Sequence, residues 1–449
     1  MENPVYRSSC VGKALPLIQG LGSLGLLAAG FTSLVLKAEP LLNWYYPIVW
    51  WGLIGLIDSL VLVLRGRSPI WRDPKEFLLL AGVSVPFWLF FEVYNLQIKN
   101  WYYVSASPTL WERWIQYPLA YATVLPAIFE LKALMDAVGL FGRSGSTSTK
   151  RSLSRKRAVI TMATLGIISM ILPLVEPRIF FPLVWLGLFF LLDAYVYGAG
   201  EESVLRLWEM GNVGEILRLM AAGLLCGLLW ESLNYPATTK WIYTVPYFED
   251  IKVFEMPVAG YLGFSAFALE CHVFWKALGL FRSKTLPALG ARKSVRWARY
   301  TALVALVAGS LWVFHLLDTR TISSFHPTVD GLAHLAPQEA TCLLSHGIKR
   351  LDLWVQKGTI PRNLTDCMSA DTIERWLRWA QLASLRGIGT ENLSLLLRAG
   401  IEDVVQLGRA DPHLLWRRLK EIGKTSGPWR VAPTEAQVRI WVRAAKRAG

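Results

Sequence analysis

Tyr45-Tyr46-Pro47-Ile48-Val49-Trp50 returns later in the chain as Phe180-Phe181-Pro182-Leu183-Val184-Trp185. Glu92-Val93-Tyr94-Asn95 returns as Glu231-Ser232-Leu233-Asn234, and Gly139-Leu140-Phe141 as Gly279-Leu280-Phe281. The offset drifts only from 135 to 140 residues across these pairs. A self-similarity of this length marks a structural unit copied whole. It also picks out the polar residues that occur in both copies.

The surrounding composition says what kind of unit was copied. Of 449 residues, 53% are hydrophobic and only 18% charged, too apolar for an ordinary soluble chain. A bilayer span needs about 20 apolar residues. Nine stretches qualify: 14–37, 44–64, 77–97, 117–140, 157–175, 179–199, 216–235, 256–280 and 300–317. The first lacks a small-residue cleavage site and reads as a retained span. Four spans fall in each copy. An even count makes the copies enter the membrane in the same direction, and the ninth span is an unpaired addition. The expected organisation is therefore a first repeat at 1–141, a basic linker at 142–156, a second repeat at 157–281, a linker and ninth span at 282–318, and a soluble domain at 319–449. The fold class is all-α: a polytopic membrane protein with a soluble helical tail.

The net charge of +14 sorts by location. The gap at 142–157 carries Arg143, Lys150, Arg151, Arg155, Lys156 and Arg157 without an acid, and the gap at 281–299 is similarly basic. The gap at 65–76 holds Arg65, Arg67, Arg72 and Lys75. Basic loops stay on the cytoplasmic side. The gap at 200–215 is acidic instead, with Glu201, Glu202, Glu209 and Glu215 against Arg206; acids count little in that rule. The expectation is a bacterial inner-membrane protein with a cytoplasmic N-terminus and an external C-terminal domain. The basic excess is a topology signal with a secondary affinity for anionic lipid, not a sign of nucleic-acid binding.

Both copies bury three carboxyls at matching places: Asp58 and Asp193 in the second spans, Glu92 and Glu231 in the third, Glu130 and Glu270 in the fourth. A charged acid at mid-bilayer costs roughly 2.5–3.5 kcal/mol on insertion scales, so these residues face the bundle interior. Two readings stand for each: a polar pocket or proton donor, and interhelical hydrogen bonding that locks the bundle. Asn95 and Asn234 lie three residues after Glu92 and Glu231, on the same helix face. That convergence makes Glu92 and Glu231 the catalytic candidates, with Asn95, Asn234, Asp58, Asp193, Glu130 and Glu270 as lining residues. An aromatic loop follows each pair, Trp101-Tyr102-Tyr103 and Trp241-Ile242-Tyr243. Trp101, Tyr103, Trp241 and Tyr243 read either as a headgroup-level belt or as a lid over the pocket. Pro118 and Pro257 then open the fourth spans. There is no phosphate loop, no paired-cysteine metal site and no histidine cluster, so neither cofactor nor metal is expected. Cys342 and Cys367 are either a disulfide or two free core thiols.

The order Trp230-Glu231, Trp241-Ile242-Tyr243 and a Pro257-led span resembles the membrane-embedded lycopene cyclase domain of carotenoid biosynthesis. In that family the resemblance implies cofactor-free, proton-initiated ring closure on an isoprenoid. The family's paired glutamates after the proline are absent twice, replaced by Val258-Ala259-Gly260 and Leu119-Ala120-Tyr121. The likeness is therefore one of fold rather than activity.

The soluble tail carries Leu385-Arg386-Gly387-Ile388-Gly389-Thr390, a helix, and then Ala399-Gly400-Ile401. This is a helix-hairpin-helix pattern, in which Gly387, Ile388 and Gly389 turn tightly and their N–H groups can face a phosphate or a partner. From about Ser369 to Ala448 the tail resembles a bacterial helix-hairpin-helix family known only as a domain of unknown function. With 19 Lys and Arg against 12 Asp and Glu over 319–449, DNA backbone is one ligand class. A single intact hairpin on the external side favours a protein partner over DNA. The leading expectation is a membrane protein that binds or modifies an apolar lipid, an isoprenoid among the candidates. The alternatives are a scaffold recruiting a partner through the tail and a proton-coupled transporter.

Overall fold

The computed structural model describes residues 10–142, 154–245, 247, 251–285, 293–424 and 433–448. The basic residues Arg143, Lys150 and Arg151 lie outside them. Among the described residues nine helices are long and apolar enough to cross a membrane, here called spans 1 to 9 in chain order: Ala14–Leu36, Leu41–Arg65, Pro74–Ile98, Leu110–Ala137, Arg155–Val175, Pro177–Gly198, Val213–Asn234, Val258–Ser283 and Tyr300–Thr321. The protein is an all-α polytopic membrane fold.

The chain divides into two compact units. The first holds residues 1–98, 116–237 and 245–313. Within it the copies pack alike. Span 1 lies on span 2, span 2 on span 4 and span 4 on span 3; span 5 lies on span 6, span 6 on span 8 and span 8 on span 7. Small residues let the first helix of each copy approach the second. A Cβ on Gly52 would stand 3.1 Å from the Ser23 carbonyl, and one on Gly187, its counterpart, 2.6 Å from Met170 Cγ. The copies join through span 4 against span 7 and span 3 against span 5. Phe267 sits at the centre of that junction, its ring 5.4–6.1 Å from those of Phe87, Trp88, Phe91, Trp185 and Trp230.

The second unit holds residues 99–115, 238–244 and 314–449. The loops after spans 3 and 7 therefore belong with the tail. They form strands β1 (Trp101–Val104) and β2 (Lys240–Tyr243), paired antiparallel. All three segments follow an odd-numbered span, so a chain that crosses at every span delivers them to one side. The tail helices enclose a core that includes Leu343, Trp376, Leu393, Leu396, Leu419 and Trp441. Their starts are capped by side chains: Ser369, Asp403 and Asp411 accept from Thr372, Gln406 and Leu414 N–H groups. Thr434 and Gln437 exchange reciprocal bonds as a capping box. Cys342 and Cys367 are joined as a disulfide, which decides between the two readings of these cysteines.

One boundary differs from expectation. The fourth span begins at Leu110, so Pro118 lies inside the helix Leu110–Tyr121 rather than opening it. Trp111-Glu112-Arg113-Trp114 look like loop by their charge, yet they continue the helix because Arg113 and Trp114 have partners. Both bond to Asp318 at 3.0 Å.

Candidate functional site

The second-span acids hold the same post in both copies. Asp193 accepts from the Val204 N–H at 2.6 Å and the Leu205 N–H at 3.0 Å, anchoring the start of the short helix Val204–Glu209. Asp58 accepts from the Ile70 N–H at 3.0 Å in the matching helix Pro69–Arg72. Pro69 has no N–H to offer, and the Ser68 hydroxyl and Gln19 amide replace it, each 2.8 Å from Asp58 Oδ2. Both carboxyls are fully buried and spent on backbone geometry. Each set of bonds stays within one copy, so neither aspartate joins the two copies through them.

Glu92, Asn95, Glu231 and Asn234 are also buried, none more than 2% exposed. They stand in the aromatic junction between the copies. Glu92 accepts from Trp88 Nε1 at 2.9 Å, and the Tyr46 and Tyr261 phenols lie within electrostatic range of Glu231. Glu270 accepts from the Phe189 N–H at 3.2 Å, and Glu130 lies beside Asp58. All six acids are fully buried, and none of them lines the cavity between spans 2, 3, 4 and 8.

A cavity of about 570 Å³ opens between the ends of spans 2, 3, 4 and 8 on the side of the basic gaps. Phe77, Leu80, Phe129, Ala133 and Trp275 wall it, and Arg65, Arg67, Arg72, Asp73, Glu76, Lys132 and Asp136 rim it. Glu76 and Asp136 of the rim are engaged by cations, while Asp73 Oδ1 accepts from the Glu76 N–H at 3.1 Å. Glu76 takes a two-armed contact from Arg282 at 2.6 and 3.1 Å. Asp136 is held by Lys132 at 2.8 Å and Arg218 at 2.9 Å, and both cations also reach Glu215. This four-residue network ties span 4 to span 7. Sequence reasoning took the arginines as a topology signal with a secondary affinity for anionic lipid, and passed over the network. The i, i+4 pair Lys132 and Asp136 at the end of an apolar span was its available signal.

The aromatics of the loops after spans 3 and 7 pair with one another. Trp101 stands opposite Tyr243 and Tyr103 opposite Trp241 across the β1–β2 ribbon, in the manner of cross-strand aromatic pairs. Tyr102, Val104, Ile242 and Ile440 share one hydrophobic cluster. Beyond β1 the chain runs beside residues 322–326, where the Ala106 N–H bonds to the Ser324 carbonyl at 3.1 Å and the His326 N–H to the Ala106 carbonyl at 2.9 Å. The glycine turn lies against the same strand. Gly387 and Gly389 hold positive φ, +77° and +61°, between the helices Ala370–Ser384 and Gly389–Arg398. A Cβ on Gly387 would stand 2.7 Å from Val104 and 3.3 Å from Tyr102. Gly387, Ile388 and Gly389 are all buried. Gly387 thus packs against β1, and Gly389 against Ser324 and Phe325.

Two polar clusters complete this unit. Arg350 donates to Asp352 at 2.5 and 3.1 Å and to His326 Nδ1 at 3.0 Å. Burial, and then the Arg350 charge, hold the His326 imidazole well below its usual range, so it is the neutral acceptor of that bond. Cys342, His346 and Cys367 bring ligand atoms within 4.8 Å of one another. With the cysteines joined, a metal would find only the imidazole there.

No curated protein and no solved structure matches the chain. Residues 333–448, the greater part of the tail, match the model of a domain of unknown function, DUF4332.

Proposed function

We propose that the membrane unit binds an apolar-tailed lipid in the cavity between spans 2, 3, 4 and 8. One observation carries this reading: the cavity is apolar along its walls and charged only at its rim, the lining an amphiphile needs. The aromatic junction around Glu92 and Glu231 supports a rigid scaffold for that cavity better than it supports a reaction chamber. Replacing Ala133 with Trp would fill the cavity from span 4. Lipid retained by the purified protein, counted by mass spectrometry, should fall to background. Undiminished retention with an intact fold would overturn the reading.

We infer further that the basic gaps face the cytoplasm, as charge bias directs, and that the ribbon and tail are external. The packing of segments after spans 3, 7 and 9 into one unit supports an odd number of crossings. The tail reads as a helix-hairpin-helix module whose hairpin serves an intramolecular contact, which weakens the DNA reading. A scaffold function remains the second reading, because the helix Pro412–Lys424 leaves Leu414 65% exposed beside Arg417 and Arg418, a surface open to a protein partner. Reporter fusions at Asp318 and Gly449 test the sidedness: a cytoplasmic signal would remove the external tail. The transporter reading draws least support, since Asp58 and Asp193 are committed to backbone N–H groups.

A further inference from the structure

We propose that the cavity selects a lipid with a phosphate-bearing, anionic headgroup, and that Arg65, Arg67 and Arg72 read that phosphate. This rests on the lipid-binding reading and adds the ligand's class. Three observations carry it. First, the three guanidiniums rim one cavity and make no side-chain hydrogen bond or ion pair with any described residue. The neighbouring acids Glu76 and Asp136 are already matched by Arg282, Lys132 and Arg218. The rim therefore presents unspent positive charge in the fork geometry that suits phosphate oxygens.

Second, the walls behind the arginines are Phe77, Leu80, Phe129 and Trp275. A free phosphate has no use for them, whereas an acyl or isoprenoid tail does. Third, the second repeat lacks the charge. Aligned through Asp58 and Asp193, the places of Arg65, Arg67 and Arg72 are taken by Gly200, Glu202 and Leu207. A topology signal alone would be met by any basic residues in the gap, Lys75 included; it would not require them around a hole.

The test uses the full chain in nanodiscs and native mass spectrometry of retained lipid. The probes are phosphatidylglycerol, phosphatidylcholine, diacylglycerol and inorganic phosphate. Wild type should retain phosphatidylglycerol over phosphatidylcholine and diacylglycerol by at least about tenfold, the scale of one charge-assisted hydrogen bond. The triple variant R65Q/R67Q/R72Q should lose that preference, R65K/R67K/R72K should keep part of it at unchanged topology, and Arg206→Gln in the second repeat should keep all of it. Equal retention of the three lipids by wild type, or a preference surviving in the triple glutamine variant, overturns the headgroup assignment. Displacement of phosphatidylglycerol by equimolar inorganic phosphate would make the occupant a free anion and overturn the lipid half. The Ala133→Trp variant separates the two levels: if it loses every lipid while wild type shows no headgroup preference, the cavity stands and the arginine proposal falls.

Discussion

The two membrane repeats share a skeleton and differ in what they carry. Both pack their spans in the same order, and both use a second-span aspartate to anchor the short helix that follows. After that anchor they part. The first copy continues into three arginines around a cavity, none paired with a described residue. The second continues into acids that are satisfied locally, Glu209 by the Tyr197 hydroxyl at 2.8 Å and Glu202 by Lys276 at 2.7 Å. The same asymmetry recurs at the other end. The strand of the first copy takes the hairpin and residues 322–326, while the second contributes Ile242 to the shared cluster. The two copies share what holds the bundle together and differ at the cavity and at the strands.

The largest effect should come from the shared anchor. Asp58→Ala and Asp193→Ala each strip a buried acceptor from two or more donors. Hydrogen bonds to a charged group contribute about 1.5–3 kcal/mol each. Both variants should therefore unfold well below wild type in detergent melts, and to a similar degree. A large loss for one and none for the other would break the equivalence of the copies.

Next come the glycines of the tail. Gly387→Ala meets both a positive φ and Val104 at 2.7 Å, whereas Gly400→Ala has the same φ of +76° with nothing within 4 Å. A left-handed non-glycine residue costs roughly 1–2 kcal/mol and overpacking about 1–3 more. The first variant should expose the tail to protease far more than the second. Equal sensitivity would mean that the contact with the first-copy strand contributes nothing.

His326, bonded to the first-copy Ala106 carbonyl, gives a smaller and pH-dependent term. Its pKa is depressed in the fold, so below about 6.5 the unfolded chain binds a proton that the folded one refuses. Stability of the second unit should rise with pH through that window and level off above it, by up to about 1.4 kcal/mol per unit. His326→Gln should be less stable at neutral pH but flatter in acid; an unchanged slope would remove the histidine from the account. The smallest effect belongs to R65Q/R67Q/R72Q. Exposed and without a partner among the described residues, these side chains should shift stability within about 0.5 kcal/mol each, which separates their role from that of Asp58.

Much of this was legible in the chain. The spans followed from apolar length, and the copies from the Tyr-Tyr-Pro and Phe-Phe-Pro stretches. The positive-φ turn followed from Gly387 and Gly389. Three things were not. The pairing of Trp101 with Tyr243 and of Tyr103 with Trp241 joins residues from different repeats, and no local pattern encodes a partner so distant. The helix at Leu110–Ala137 starts early because Arg113 is stabilised by Asp318, far along the chain. A basic run also reads alike whether its charges are spent or free; only geometry separates Arg218, bonded on several sides, from Arg65, which no described residue bonds.

The most direct test of the asymmetry is a cross-linking map. Phosphatidylglycerol with a photoactivatable group in its tail would be incorporated with the full chain, irradiated, and the labelled peptides sequenced. The account predicts adducts concentrated on spans 2, 3, 4 and 8 around Phe77, Phe129 and Trp275. Labelling spread evenly over the two repeats, with spans 6 and 7 marked as heavily as spans 2 and 3, would contradict it.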